Sequence, residues 1–197
     1  MNIAKKLGLE KEARQLCDAE MAKTYERITP ALEYLKGKKV AVQGNPGHGV
    51  AFVRYFTELG MIPVLTGAAA SDRGSTQKYR KICHLEGLPE PIITTNREYP
   101  ELKALYEQFK PDLVIGGSDE RMIVQSLDPG GRPGFIHFMR YEEPFQGFHG
   151  AVKCVRDILL AMKAPVQIEL PPELAEERKK VYPPNHYIWK WRKFNDD

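Results

Sequence analysis

Five short apolar or β-branched runs punctuate this chain: Lys38–Gln43, Met61–Leu65, Glu90–Thr95, Asp112–Gly116 and Gly134–Phe138. Between them lie segments of helical character at Ala51–Leu59, 72–86, Pro100–Phe109 and Glu120–Ser126, and a longer one follows at Gly150–Met162. Strands separated by helices do not pair as hairpins. They need crossover connections, which build a parallel sheet with helices on both faces. The expected fold is therefore an α/β, Rossmann-like, doubly wound domain with right-handed connections. Local punctuation agrees: Gly60 and Gly87 stop helices, Asp72 is a candidate cap, and Pro111 blocks continuation after Phe109.

Residues 1–36 form an N-terminal helical segment, with Ala13, Leu16, Met21, Tyr25, Ile28, Leu32 and Leu35 recurring largely at spacings of three and four. Pro30 either kinks it or opens a new helix with Thr29 as N-cap. Gly37 closes the segment in a left-handed conformation. The Rossmann-like domain occupies 37–164. A C-terminal extension, 165–197, is marked by Pro165, Pro171, Pro172, Pro183 and Pro184, with a helical stretch near Glu173–Lys180. Its end, HYIWKWRKF, carries both tryptophans and reads as a basic strap with aromatic anchors, packing on its own domain or pairing two copies in a homodimer.

With 42% hydrophobic and 28% charged residues the chain has the composition of a folded domain, not of a disordered or fibrous one. A net charge of +3 is too small to mark a nucleic-acid binder. Cys17, Cys83 and Cys154 are too scattered for a disulfide framework or a zinc site and fit a reducing compartment. The first residues alternate in charge without an apolar signal core, and no stretch is long and apolar enough for a membrane span. A cytoplasmic location is expected.

In an open parallel sheet, ligands bind beyond the carboxyl ends of the strands, where the strand order reverses. With order 3-2-1-4-5, the loops meeting there are Gly44-Asn45-Pro46-Gly47-His48-Gly49 and Gly116-Gly117-Ser118-Asp119-Glu120-Arg121. Glycine lets backbone approach a ligand, and helix starts offer N–H groups to negative charge. The glycine spacing is not that of a dinucleotide fingerprint, and Val64-Leu65-Thr66-Gly67 lacks the ribose-gripping carboxylate, which argues against NAD. No ATP-binding phosphate loop occurs. A third loop, from His137 to Gly150, carries Phe138, Tyr141, Phe145 and Phe148 beside two histidines, more than a turn needs; a plain hydrophobic lid would use the same rings.

This loop reads H-F-M-R-Y-E-E-P-F-Q-G-F-H-G and is followed by AVKCVRDILLAM. It resembles nitrogenase component 1, whose α-subunit carries H-S-W-D-Y-S-G-P-Y-H-G-F-D-G before a helix with an A-R-D core. His137, Tyr141, Pro144, Gly147, Phe148, Gly150, Arg156 and Asp157 coincide. Leu35-x-Gly37-Lys38-x-Val40, Glu58-Leu59-Gly60-Met61, Lys110-Pro111-Asp112-Leu113 and Gly117-x-x-Glu120-x-x-x-x-Gln125 extend the likeness over roughly residues 10–165. The resemblance implies the third Rossmann-like domain of a component 1 subunit, forming one wall of a metallocluster or substrate cleft. It implies partner domains or subunits and an ATP-dependent iron protein as electron donor. His137 aligns with the histidine that ligates molybdenum in nitrogenase. Asp119 and Pro46 stand where nitrogenases carry a lysine and an arginine, so a nitrogen-reducing site is disfavoured against another cofactor or substrate.

The residues expected to bind a cofactor are Gly44, Asn45, Gly47, His48, Gly117, Ser118 and Arg140, with His137 as metal ligand. Each has a plainer reading: a tight turn for the glycines, a backbone-bonded strand end for His137, a surface cation for Arg140, and loop positions for His48 and His149. Cys154 falls on an apolar helix face, Cys83 and His84 point apart, and Asp119, Glu120 and Arg121 read as a solvated cluster. No residue is singled out as catalytic. Three cysteines fall short of the roughly four thiolates a cluster uses, so the isolated chain is expected to hold no iron–sulfur cluster. Two functions follow: a domain of an iron–sulfur-type nitrogenase-like oxidoreductase, or a stand-alone non-catalytic module binding a metallocofactor, a tetrapyrrole or a protein partner.

Overall fold

The computed structural model describes residues 2–44, 46–67, 73–94, 98–137, 145–166 and 168. The helix placed near Glu173–Lys180, the C-terminal strap, the Asp72 cap, Asn45 and Arg140 lie outside the described residues.

Five strands are found where the apolar runs placed them: β1 (Lys39–Gln43), β2 (Ile62–Gly67), β3 (Ile92–Thr94), β4 (Leu113–Gly116) and β5 (Gly134–His137). They pair in the order β3-β2-β1-β4-β5, and every pair is parallel. Along β1, Val40 and Val42 enter one hydrophobic layer, while Ala41 enters the other. This is the period of two that a sheet covered on both faces requires.

The first layer joins Val40, Val42, Leu113, Ile115 and Ile136 to Val53 and Phe56 of α3 (Pro46–Glu58), Tyr79 and Cys83 of α4 (Arg73–Leu85), and Val155 and Ile158 of α7 (Gly147–Ala161). The second joins Ala41, Leu65 and Val114 to Leu102 and Tyr106 of α5 (Tyr99–Phe109) and to Ile123 and Val124 of α6 (Ser118–Ser126). The crossovers through α3 and α4 run outward over one face, and those through α5 and α6 return over the other, as a single hand of connection demands.

The N-terminal segment differs from the reading of its pattern. It breaks at Gly8, where φ is +70°, into α1 (Asn2–Leu7) and α2 (Glu10–Leu35). Pro30 neither opens a new helix nor ends one: α2 runs through it. Thr29 is not an N-cap, because its hydroxyl donates back to the Tyr25 carbonyl at 2.6 Å. Proline is accommodated because it stands on the solvent side. Ile28, Ala31 and Leu35 are buried in the first layer, whereas Leu16, Met21 and Tyr25, read as part of the same stripe, are exposed. Gly37 has the expected left-handed conformation, with φ of +77°.

The amino-terminal edge of the sheet explains two of the sequence motifs. Asp112 accepts the Lys39 N–H through Oδ2 at 2.7 Å, and its Oδ1 lies 3.5 Å from Lys38 Nζ. One carboxylate thus fastens the start of β1 to the start of β4.

Candidate functional site

At the opposite edge the register lines up one residue from each strand. Thr94 pairs with Gly67, Gly67 with Gln43, and Gly116 with His137. Gln43 and Gly116 follow the last registered pair of β1 and β4, Val42–Ile115. By alternation the row Thr94, Gly67, Gln43, Gly116, His137 lies on the face of Ala41, Val114 and Phe135. The imidazole of His137 stands edge-on to Phe135, with centroids 6.5 Å apart.

The glycines of this row are sterically required. A Cβ on Gly67 would fall 2.2 Å from Thr94 Oγ1 and 2.5 Å from Gln43 Oε1. A Cβ on Gly116 would fall 2.6 Å from Glu120 Cβ. Glu120 is not part of a solvated cluster, as the sequence suggested: it is 1% exposed, tucked into the room Gly116 leaves. Its Oε2 accepts the Gly117 N–H at 2.7 Å. The neighbouring Asp119 and Arg121 are exposed, as expected.

The two helix starts at this edge therefore differ. Gly117 precedes α6, Ser118 opens it, and the Glu120 carboxylate meets that N-terminus from within. Gly44 follows β1, buried, with its N–H bonded to the Gly67 carbonyl at 3.1 Å. Gly47 and His48 lie exposed in the first turn of α3, which has no acidic residue. The α3 start thus carries no acidic residue of its own, whereas the α6 start does.

α7 begins at Gly147, three residues before the expected Gly150, so His149 falls in its first turn. Phe145, just ahead of α7, stands 6.3 Å from Phe52 of α3 in a T-shaped arrangement, and Lys153 Nζ lies 4.8 Å from its ring centroid. Tyr55 donates to the Ala151 carbonyl at 2.8 Å, and burial, its largest cause, pushes the Tyr55 phenol far above the ordinary range. Cys154 is buried, as its position on the apolar face implied.

Gln43 and Thr66 are polar groups that sequence reasoning passed over. Both are buried, and neither the Gln43 carboxamide atoms nor Thr66 Oγ1 has a hydrogen-bond partner. The available signal was Gln43 itself, a polar residue closing the apolar run KVAVQ at the ligand-binding edge. Among the described residues no three histidine, cysteine or carboxylate side chains come together as a metal cage. Among the described residues His137 offers a metal one imidazole, and a site there needs further ligands. No helix among the described residues is long and apolar enough to cross a membrane.

The family described as nitrogenase component 1 type oxidoreductase matches residues 1–163. The chain is 28% identical over 163 residues to a nitrogenase iron-molybdenum cofactor biosynthesis protein, NifE, of Methanosarcina barkeri, covering 80% of this chain and 33% of that one. It is 29% identical over 132 residues to a nitrogenase molybdenum-iron protein beta chain of Methanococcus maripaludis, covering 65% and 28%. A solved structure described as nitrogenase Cp1 at pH 6.5 superimposes with a TM-score of 0.71 at 21% identity, over 83% of this chain and 36% of that one. That likeness shows the fold. The chain spans about a third of the length of these relatives.

Proposed function

Because the chain belongs to the nitrogenase component 1 type oxidoreductase family, we propose that it forms one wall of a metallocluster or substrate cleft in a nitrogenase-like reductase. The observation that carries this reading is the row at the carboxyl edge, which ends in His137 beside Gly116, a strand end with no room for a Cβ. His137 is the metal ligand in this reading. Gly44, Gly47 and His48 form the backbone cradle on the α3 side, and Gly117 and Ser118 form it on the α6 side; Asn45 and Arg140 are assigned to the cofactor from the sequence alone. A bound iron–sulfur-type cluster supplies storage for several electrons. The chain's own part is to present one imidazole, hold glycine backbone close, and let the acid-free N-terminus of α3 meet negative charge.

The remaining ligands come from partner domains or subunits, and electrons from an ATP-dependent iron protein. The decisive measurement is iron and sulfide in the assembly containing this chain, purified anaerobically from its host, for wild type and His137→Gln. Iron that the variant loses supports the reading. An assembly without iron in both cases overturns it and leaves the non-catalytic binding module in its place.

A further inference from the structure

Gln43 ends β1 almost wholly buried, with both its carboxamide nitrogen and its oxygen unpartnered. A buried amide without partners is costly, and a methionine of similar reach would fill the same place without that cost. The position has further marks. It is flanked across the sheet by Gly67 and Gly116, neither of which has space for a Cβ. Thr94 Oγ1 and Gln43 Oε1 converge over Gly67. Along the row, Gln43 stands one strand beyond the neighbour of His137. A strained or unsatisfied group at such an edge is the pattern of a site whose partner is a bound molecule.

We propose that Gln43 is a ligand-contacting, specificity-determining residue of the carboxyl-edge site, its carboxamide held for a planar carboxylate or carboxamide group of the bound molecule. The assignment rests on reading this edge as the ligand-binding one. A carboxamide offers donor and acceptor side by side without charge, which complements the flat C(=O)–O or C(=O)–N edge of either group. A site built on such a contact rejects analogues that lack the group, because the amide is then left unpaired.

Two measurements on the whole chain test this. In thermal unfolding without ligand, Gln43→Met raises the midpoint by about 3 °C or more, the scale expected when a buried unsatisfied amide is removed from a chain of this size. Glu120→Met, which removes an acceptor in use, lowers it. In nitrogen–proton spectra, acetate and acetamide are the probes, read at the side-chain NH2 of Gln43 with exposed Gln125 as reference. A saturable shift of Gln43 alone supports the site. Acetate acting alone identifies an anionic ligand group, and acetamide acting alone a neutral one. A lower midpoint for Gln43→Met, or a Gln43 signal that neither probe moves before Gln125 moves, overturns the proposal. Iron-free assemblies together with a responsive Gln43 would remove the cluster reading and keep this site; iron-bearing assemblies with a silent Gln43 would do the reverse.

Discussion

Lys153 and Asp157 stand one turn apart on α7 with Nζ and Oδ2 2.9 Å apart, and both are more than nine-tenths buried. Removing one member of such a buried pair takes away compensation for the other's charge, whereas replacing both with apolar groups removes the need for it. Asp157→Ala is therefore expected to cost about 3 kcal/mol in urea unfolding, and Lys153→Met with Asp157→Leu to stay within about 1 kcal/mol of wild type. A double variant as unstable as the single one would show that Lys153 matters through its ring contact with Phe145 instead.

The glycines of the strand row give a second set of outcomes. Gly116→Ala places a methyl 2.6 Å from Glu120 Cβ, and Gly67→Ala places one against Thr94 Oγ1 and Gln43 Oε1. Each should lower stability by about 1–3 kcal/mol, the range for overpacking a filled interior. Gly131→Ala meets nothing within 4 Å and should be close to neutral. Denaturant midpoints compared across the three decide the matter.

Among the described residues two lysines adopt the left-handed region, Lys110 at φ +46° and Lys163 at φ +51°. A side chain there is disfavoured by about 1–2 kcal/mol, part of which glycine returns as unfolded-state entropy. Lys110→Gly and Lys163→Gly are each expected to stabilise the chain by roughly 0.5–1 kcal/mol. Unfolding midpoints at unchanged slope would confirm it, and a loss of stability would show that the lysine side chains hold the turns.

Alkaline pH should weaken the fold in two stages. Burial, and to a lesser extent Glu90, push the Cys83 thiol up, and burial pushes the Tyr55 phenol up. A group whose folded pKa is raised contributes its full stability below its unfolded value and loses it as pH climbs towards the folded one. The midpoint of thermal unfolding should fall first above about pH 8.5, then more steeply above about pH 10. Cys83→Ala should flatten the first stage and Tyr55→Phe the second. A flat profile for wild type across both would refute the assignment.

Much of the sheet was legible because β-branched runs between helices leave little choice of topology. Val40–Val42 and Leu113–Ile115 show both the strand and its double burial. The side of α2 that meets solvent was not legible, since periodicity reports an apolar stripe without saying how far a neighbour extends along it. Leu16 and Ile28 share a pattern; one is exposed and the other buried. Glu120 was misread because its burial depends on the missing Cβ of Gly116, a tertiary fact. Its spacing three residues after Gly117, with the carboxylate reaching back to that N–H, was nonetheless a readable cap signature. The Gly44 and Gly117 loops were found from glycine alone, while Gln43 escaped because an unsatisfied amide has no sequence motif.

The hydrophobic layers stop at Val42, Leu65, Ile115 and Ile136, one or two residues short of the strand ends that form the polar row. The side chains that the edge presents are thus separate from those that close the two layers. An exchange at Gln43 or His137 alters what the edge presents while every side chain of the two apolar layers stays in place.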